Sequence, residues 1–240
     1  MNLKAKRTHD KLYLNENRYK KPKEMFKFIY KNALKKTKKK INILDVGCAA
    51  GEFLYFVKKE NPFLNLTGSD IRSDLIKKAK INVPGVSFLK KNVLNKSSYK
   101  KYSFDKIFMI GVHPIFDSFE KCFNNLIYWS KKNGEIYICD LFNPFPVDVI
   151  LRYKLSANYK SKNYETGWNI FSKESVINFL KKNKKVKNVS FKNFYMPFDL
   201  YPNKKDCIRS WTFKDLSEKR IMTNGLSIMQ SQMLLTIKLN

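Results

Sequence analysis

A short apolar run that leads into a glycine-containing turn, at residues 41–53, constrains the fold of this chain more than any other stretch. The run at 41–46 is too short and too rich in β-branched residues for a helix, and it predicts a strand buried on both faces. Asp45, Gly47 and Gly51 border the turn, and apolar residues resume at helical spacing after Gly51. The segment therefore predicts a strand, a tight turn and a helix, with backbone at the turn that a ligand can approach closely.

A second apolar run, at residues 64–71, predicts a second strand that also closes on an acid. This acid, Asp70, follows Asp45 by about 25 residues, which is close to the ~20 at which a carboxylate reaches the ribose hydroxyls in nucleotide-binding βαβ units. The dinucleotide fingerprint would need a glycine where Ala49 stands and a third glycine after Gly51. A nicotinamide enzyme is therefore the weaker interpretation, and a turn whose glycines only close the chain is the structural alternative.

The pattern Asp-x-Gly-x-x-x-Gly after a strand, from Asp45 to Gly51, resembles the cofactor loop of class I S-adenosylmethionine (SAM) dependent methyltransferases. The resemblance extends over residues 41–140 in its motifs and over the remainder in outline. It implies SAM as the cofactor, with Asp45 near the ammonium group of the methionine moiety and Asp70 at the ribose hydroxyls. The other cofactor-binding positions that it implies are Gly47, Cys48, Ala49, Gly51, Ile71, Asn92, Val93 and Gly111.

The position at Asn92 departs from the family pattern, in which an acid commonly accepts a hydrogen bond from the adenine amino group. The side-chain carbonyl of Asn92 can accept the same bond. The resemblance also implies that the next backbone N–H, that of Val93, meets a ring nitrogen of the adenine.

The order of predicted elements indicates an α/β fold. Further strands are predicted at residues 86–89, 104–110, 135–140, 186–196 and 231–239, with amphipathic helices between the earlier ones. The predicted helices include one with Ser73 as its N-cap, one at residues 116–130 that ends in a turn at 131–134, and one with Ser172 as its N-cap. The last two lack an obvious crossover helix, which favours an antiparallel pair. With the family strand order 3-2-1-4-5-7-6, we expect a seven-stranded, mostly parallel, doubly wound sheet with an antiparallel last strand.

The remaining segments predict covers over the sheet. Residues 1–40 form an arm and a helix expected to cover the cofactor cleft, with His9, Tyr13 and Tyr19 as lid contacts, and residues 41–240 form the methyltransferase domain. Two irregular insertions, at 146–170 and 197–230, are predicted substrate caps, because long irregular segments in compact domains are usually functional. Asp206, Arg209 and Trp211 of the second insertion are expected to fold back toward the substrate cleft.

The loop after the fourth predicted strand contains His113, one of two histidines in the chain. Ligands bind at the carboxyl ends of strands in open α/β sheets, so this loop is expected beside the transferred methyl group. His113 is the predicted catalytic residue, as a base for a hydroxyl. Alternatively it shapes the loop or binds substrate, since methyl transfer can proceed by in-line positioning. Asp140, after the fifth strand, is either catalytic or a cap for its loop.

Four residues are predicted to contact the substrate: Asn143, Arg152, Tyr164 and Trp168. Tyr153 and Tyr159 can line the same cap, and the guanidinium of Arg152 can fork onto a phosphate or carboxylate. The segment FNPFP differs from the Asp/Asn-Pro-Pro-Tyr motif of amide methylation, and no Pro-Cys nucleophile for cytosine is present. These absences disfavour base methylation.

The net charge of +28 is the strongest compositional signal. It would attract nucleic acid. The positive charge is nearly all Lys and is spread along the chain, however, whereas bidentate phosphate and base recognition usually calls on Arg. A solvated lysine surface is therefore favoured, and a nucleic-acid partner is possible but not favoured. The oligomeric state is not indicated by the sequence.

Cysteine spacing and hydropathy predict a cytoplasmic protein. The four cysteines show no C-x-x-C spacing, which favours reduced thiols and no metal site. No apolar run reaches the length of a membrane span, and the N-terminus has no hydrophobic signal region, so no membrane partner is expected.

We therefore predict a SAM-dependent methyltransferase that acts on a small-molecule acceptor, at an oxygen of a sugar, phosphate ester or related metabolite. An RNA methyltransferase that uses the lysine-rich surface is the first alternative. A non-catalytic nucleotide-binding protein of the same fold is the second.

Overall fold

Short apolar strands that alternate with amphipathic helices place this chain in a mixed sheet with helices on both faces. The computed structural model describes residues 12–158 and 160–240. Five parallel strands run in the order 3-2-1-4-5: β1 (Asn42–Val46), β2 (Asn65–Asp70), β3 (Ser87–Lys90), β4 (Phe104–Ile110) and β5 (Ser130–Asn143). The short strand β6 (Phe171–Ser172) pairs with the end of β5.

The sheet closes with the antiparallel strands that the sequence predicts. The last strand, β10 (Gln232–Leu239), lies between β5 and β7 (Val186–Asn193) and is antiparallel to both. The order 3-2-1-4-5-10-7 is the predicted 3-2-1-4-5-7-6 once the three short strands of the insertions are left out of the numbering. The predicted sheet topology is confirmed.

Helices cover the two faces of the sheet: α1 (Leu12–Asn15), α2 (Glu24–Ala33), α3 (Glu52–Glu60), α4 (Ser73–Asn82), α5 (Glu120–Trp129) and α6 (Lys173–Lys181). One apolar cluster joins α2, α3 and α4 to one face, with Ile29 and Leu54 fully buried. A second cluster joins α5 and α6 to the other face, with Leu126 and Leu180 fully buried. The carboxyl ends of β1, β2, β4 and β5 therefore meet at one edge between the two layers.

Two helix boundaries differ from the sequence prediction. Ser73, predicted as the N-cap of α4, is its first helical residue, and Arg72 is the N-cap. The helix predicted from residue 116 begins at Glu120, because a 3-10 turn at His113–Ile115 precedes it. Ser172 does cap α6 as predicted, since its hydroxyl accepts a hydrogen bond from the backbone N–H of Ser175 at 3.0 Å.

Residues 131–134, predicted as a turn, belong to β5. Phe104 pairs with Ser130 and Lys106 pairs with Glu135, so the intervening residues of β5 are accommodated as a bulge in which Asn133 has a φ of +56°. An Asn in this left-handed region is tolerated without a glycine. The lysines and the Asn-Gly pair imitate a helix end because β-bulges and turns use the same residue types.

The second insertion contains a hairpin that the sequence prediction missed. Strands β8 (Trp211–Lys214) and β9 (Arg220–Thr223) pair only with each other in a separate two-stranded sheet. The Asp215 carboxylate ties the connecting turn by accepting hydrogen bonds from the backbone N–H groups of Ser217 and Lys219. Each strand has four residues, which is too short for a reliable alternating pattern.

The cysteines form no disulfide among the residues that the structure describes. Cys48, Cys122 and Cys139 are buried, Cys207 is exposed, and all four are free thiols. Within residues 12–158 and 160–240, no helix has the length and apolar character needed to cross a membrane.

Candidate active site

A cavity of about 690 Å³ lies at the carboxyl ends of β1, β2, β4 and β5, where the strand order reverses between β1 and β4. Its volume falls in the range of roughly 300–1,000 Å³ typical of small-molecule sites. Most of the predicted site residues line it: Asp45, Gly47, Cys48, Ala49, Asp70, Ile71, Asn92, Val93, Gly111 and Trp168. The fold therefore gathers positions from four separate strand ends, as expected at a topological switch point.

Asp45 places a buried carboxylate in the cavity wall. The side chain is 2% exposed, and no hydrogen bond from the part of the chain that the structure describes contributes to its ionisation. Burial, and then the charge of Asp70, raise the pKa of Asp45 well above its ordinary value of 3.8. Such a carboxylate gains stability from a cation beside it, which lowers the pKa again. The position fits the ammonium group of the methionine moiety of SAM.

Asp70 is held in one orientation by the backbone of the glycine turn and of its own loop. One carboxylate oxygen accepts a hydrogen bond from the N–H of Ala49 at 3.1 Å, and the other accepts from the N–H of Arg72 at 2.9 Å. A carboxylate oxygen can accept more than one hydrogen bond. The arrangement fits a ribose diol and explains why Asp70 faces the cavity.

Gly47 lines the cavity and allows Val112 to pack closely against the turn. Its φ is +72°, and a Cβ atom at this position would lie 2.3 Å from Cγ2 of Val112. Gly51, a predicted cofactor contact, is not among the residues that line the cavity. A Cβ atom there would lie 2.7 Å from Cζ of Phe88, so Gly51 serves the packing of α3 near β3. Gly47 therefore lies on the side of the turn that lines the cavity, whereas Gly51 lies on the side that packs against Phe88.

The loop after β3 is fixed by three hydrogen bonds around Asn92 and Val93. Oδ1 of Asn92 accepts from the N–H of Leu94 at 2.9 Å, and its backbone carbonyl accepts from the hydroxyl of Ser98 at 2.8 Å. Nδ2 of the buried Asn125 donates to the carbonyl of Val93 at 2.7 Å. Oδ1 of Asn92 keeps one lone pair for an adenine amino group. Asn125 was missed by the sequence prediction, although a polar residue on the buried face of α5 is a signal.

His113, the predicted general base, does not line the cavity. Its side chain has no exposed surface and stacks on Phe142, with ring centroids 4.7 Å apart. Its Nδ1 atom is 3.0 Å from Oδ2 of Asp140 but lacks hydrogen-bond direction, and Nε2 has no hydrogen-bond partner among the described residues. The geometry therefore argues against proton transfer from a substrate to His113 and favours its alternative role in shaping the loop.

Asp140 both lines the cavity and caps the loop after β4. Its Oδ2 atom accepts a hydrogen bond from the N–H of Val112 at 2.9 Å, and Oδ1 accepts from the N–H of Leu141 at 3.0 Å. The side chain is 5% exposed. The capping role predicted as one alternative is present, and Asp140 also lines the cavity.

Three of the four predicted substrate residues lie outside the cavity wall. Oδ1 and Nδ2 of Asn143 hydrogen-bond the backbone of the following turn, and Tyr164 is 53% exposed. Arg152 forms an ion pair with Asp117, which occupies the guanidinium fork predicted for a ligand anion. Trp168 alone of the four lines the cavity.

The shape of the first insertion explains this distribution. Backbone bridges between Val149 and Ile170 and between Tyr153 and Glu165 fold the segment back on itself. Its returning end, Thr166 to Trp168, reaches the cavity, whereas Tyr164 is exposed. Spacing along an irregular chain could not predict which residues turn inward, and Tyr159 lies outside the described residues.

Asn169, missed by the sequence prediction, ties this insertion to the loop after β4. Its side chain is fully buried, and Nδ2 donates to the carbonyl of Phe116 at 2.8 Å. Its backbone N–H donates to the carbonyl of Pro114 at 3.1 Å, and Oδ1 accepts from the N–H of Leu151 at 2.8 Å. In the sequence, Asn169 is marked only by its position next to Trp168, which was a predicted substrate residue.

The arm before α2 crosses the glycine turn. The hydroxyl of Tyr19 donates to the carbonyl of Ala50 at 2.8 Å, and the N–H of Arg18 donates to Oε1 of Glu52 at 2.6 Å. Tyr13 lines the cavity, and Lys78 of α4 donates to arm carbonyls, among them that of Leu14 at 2.8 Å. Burial and the charge of Glu52 raise the pKa of Tyr19 to about 12, so its hydroxyl remains a donor. His9 lies outside the described residues.

The second insertion and the last strand complete the wall with Ser210 and Gln232. Asp206, Arg209 and Trp211, predicted to fold back toward the cleft, are not among the lining residues. Gln232 was missed, although β10 is antiparallel, so its first residue lies at the edge where the parallel strands end.

The chain is similar in sequence and structure to known methyltransferases. A family model described as a methyltransferase domain matches residues 37–193. A SAM-dependent methyltransferase from Archaeoglobus fulgidus is similar in structure with a TM-score of 0.57 and 15% identity, over 95% of this chain and 99% of that chain. A complex between a Haloferax volcanii methyltransferase activator and a methyltransferase matches with a TM-score of 0.61 and 13% identity, over 98% and 99% of the two chains.

Curated relatives are similar over a short segment only. Two tRNA (guanine-N(7)-)-methyltransferases, from the MIT 9215 and AS9601 strains of Prochlorococcus marinus, are 49% identical over 45 residues. The match covers 18% of this chain and 22% of each relative, so the chain spans about a fifth of the length of the relatives that it matches.

Proposed function

We propose that this chain, which belongs to the methyltransferase domain family, is a SAM-dependent methyltransferase that methylates a small molecule at an oxygen of a sugar, phosphate ester or related metabolite. The charge of the cavity wall carries this proposal. Although the chain has a net charge of +28, its described lining residues include three cations and four acids: Lys23, Arg72, Lys91, Asp45, Glu52, Asp70 and Asp140. Nucleic acid is held mainly by cations on its phosphates, and this wall has no cationic surplus.

Different residues of the cavity wall bind different groups of the cofactor. When bound, SAM supplies a methyl group activated by its sulfonium charge. Asp45 pairs with the ammonium group, and Asp70 accepts hydrogen bonds from the ribose hydroxyls. Asn92 accepts from the adenine amino group, and the backbone N–H of Val93 donates to the ring.

The acceptor occupies the end of the cavity formed by β4, β5, β10 and the two insertions. Trp168 and Phe116 give it apolar contact, and Gly111 leaves room beside the strand end. The chain acts chiefly by holding the acceptor oxygen in line with the reacting bond. Asp140 is the titratable side chain that β5 adds to this end, and it accepts the proton of the hydroxyl.

The short match to tRNA methyltransferases favours a second candidate function, methylation of RNA. In that case the lysine surface would bind phosphates outside the cavity, and activity would fall steeply with salt. Membership of an enzyme family removes the non-catalytic hypothesis.

Labelled cofactor distinguishes the two functions. The protein is incubated with methyl-labelled SAM and a deproteinised cell extract that has been separated into RNA and small molecules. We expect label in the small-molecule fraction, with incorporation that changes little between about 50 and 200 mM salt. Label confined to RNA and lost over this salt range, by analogy with the ~10³–10⁵-fold loss of multi-phosphate contacts, would contradict the proposal. An Asp70→Asn variant serves as the control for cofactor dependence.

A further inference from the structure

Gln232 brings an amide with an unpaired oxygen to the acceptor end of the cavity. The residue lines the cavity, and its Oε1 atom is buried without a hydrogen-bond partner among the described residues. Buried polar groups of proteins are nearly always paired, and one that is not destabilises the ligand-free protein. A ligand that pairs with this amide removes that cost.

Ser210 lies in the same wall with its proton already committed. Its hydroxyl donates to Oε1 of Gln230 at 2.6 Å, and Gln230 is 2% exposed. A hydroxyl that donates to the protein still has lone pairs to accept a hydrogen bond from a ligand. Ser210 therefore offers the cavity an acceptor that Gln230 orients from behind.

The register of the sheet locates Gln232 relative to Asp140. Gln232 is opposite Leu141 in the ladder between β10 and β5, and the next residue, Met233, is opposite Asp140. Opposite residues of an antiparallel pair have Cα atoms roughly 4.5–5.5 Å apart. Gln232 is thus beside the strand end that carries Asp140, rather than at the cofactor end.

The cations of the cavity wall belong to other parts of the site. Arg72 and Lys91 follow β2 and β3, and Lys23 precedes α2 and is paired with Glu16 at 2.7 Å. Among the described lining residues, the ends of β4, β5 and β10 and the two insertions contribute one charged side chain, Asp140. The acceptor end is therefore suited to a neutral group rather than to a phosphate.

We propose that Gln232 and Ser210 form a subsite for a neutral hydroxyl group of the acceptor, and that Gln232 determines acceptor specificity. The inference rests on the proposed function and narrows it to acceptors that carry hydroxyl groups and no phosphate. An amide both donates and accepts, as a hydroxyl does, so the two groups satisfy each other. Ser210 accepts from the same or a neighbouring hydroxyl.

Two measurements test this subsite. The small-molecule extract is passed over an anion-exchange resin, and each fraction is incubated with methyl-labelled SAM and the protein. We expect label in the unretained fraction. With that fraction as substrate, Gln232→Leu should raise KM for the acceptor at least about tenfold, while the Kd of S-adenosylhomocysteine stays within about twofold. Its Tm without ligand should rise, because a buried amide oxygen without a partner is replaced by an apolar group.

Matched variants keep the test independent of folding. Met229→Leu, at a residue 64% exposed in the same segment, should leave KM and Tm unchanged. Ser210→Ala should raise KM with the same unchanged S-adenosylhomocysteine affinity, and it provides the measurement if Gln232→Leu does not fold.

The possible failures are distinguishable. Label only in the retained fraction, or an unchanged KM for both variants, would overturn the subsite and leave small-molecule methylation in place. A lower Tm together with weaker S-adenosylhomocysteine binding would show that Gln232 is a packing residue. No label in any small-molecule fraction from the unmodified protein would overturn the proposed function itself.

Discussion

The Nδ1 atom of His113 lies 3.0 Å from the Oδ2 atom of Asp140, and both side chains are buried. The contact joins the loop after β4 to the end of β5, the two elements that meet at the acceptor end of the cavity. Oδ2 of Asp140 also accepts a hydrogen bond from the N–H of Val112 at 2.9 Å. We therefore propose that His113 positions Asp140 and does not itself take a proton from the substrate.

A His113→Gln variant should retain kcat within about tenfold and keep the shape of its pH profile, because general-base catalysis typically contributes about 10²–10⁴-fold. The measurement is kcat from about pH 6 to pH 9. Disappearance of an ionisation near neutral pH would instead identify His113 as the base. His113→Ala should lower the free energy of unfolding by about 2–4 kcal/mol, because it empties a site packed against Phe142.

Asp45 should make cofactor binding depend on pH. Its raised pKa means that the ligand-free site holds a proton that an ammonium group displaces, so affinity for S-adenosylhomocysteine should rise as pH rises through that pKa. Asp45→Asn should weaken binding about tenfold or more and remove this dependence in calorimetric titrations. Glu174→Gln is the control, since Glu174 is exposed on α6 and is not among the cavity-lining residues.

The same raised pKa predicts the effect of Asp45 on stability. The folded protein binds a proton that the unfolded chain releases above about pH 4, so the contribution of Asp45 to stability falls as pH rises from there through the raised pKa. Asp45→Asn should therefore raise the Tm of the ligand-free protein at neutral pH. An unchanged or lower Tm at pH 7, with the acid-side Tm equal to that of the unmodified protein, would contradict the assignment.

Gly47→Ala and Gly111→Ala separate backbone strain from steric overlap. Both glycines have positive φ, at +72° and +69°, but a Cβ atom at Gly47 meets Val112 at 2.3 Å and one at Gly111 meets nothing within 4 Å. Gly111→Ala should cost about 1 kcal/mol for the left-handed conformation, and Gly47→Ala about 1–3 kcal/mol more. Urea unfolding measures both, and equal losses would show that the overlap with Val112 is relieved at no cost.

The hydrogen bond from Tyr19 to the carbonyl of Ala50 should slow cofactor release. Tyr19→Phe removes a bond of 2.8 Å and should weaken S-adenosylhomocysteine binding by about 2–10-fold, mainly through a faster off-rate. Tyr30→Phe is the matched control, because its hydroxyl makes only a 3.4 Å contact with the carbonyl of Glu60. Stopped-flow displacement gives the off-rates, and equal off-rates in the two variants would show that the arm does not retain the cofactor.

The glycine turn and its acids were predictable because their information is local. A buried strand that ends at Asp45, glycines at defined spacing and a second strand that ends at Asp70 specify backbone geometry without reference to distant residues. The α/β class followed from the order of such units, and the strand order 3-2-1-4-5-7-6 followed from the family resemblance. The antiparallel end of the sheet followed from two strands with no helix between them.

Side-chain direction in the irregular segments was not predictable. Arg152 and Tyr164 have the chemistry of substrate ligands, yet Arg152 pairs with Asp117, and Tyr164 is exposed. The parts of the insertions that line the cavity are held in place by long-range hydrogen bonds, such as those of Asn169. The spacing of apolar residues along the sequence does not predict these hydrogen bonds.

The sequence by itself therefore determined the strands of the sheet, the glycine turn with Asp45 and Asp70 and, through the family resemblance, the enzyme family, because short-range periodicity and glycine placement control the backbone there. Only the tertiary structure decided that His113 faces inward and that Gln232 joins the acceptor wall. The physical reason is that these orientations depend on packing between strands and loops far apart in the chain, where burial and hydrogen-bond pairing outweigh local preference.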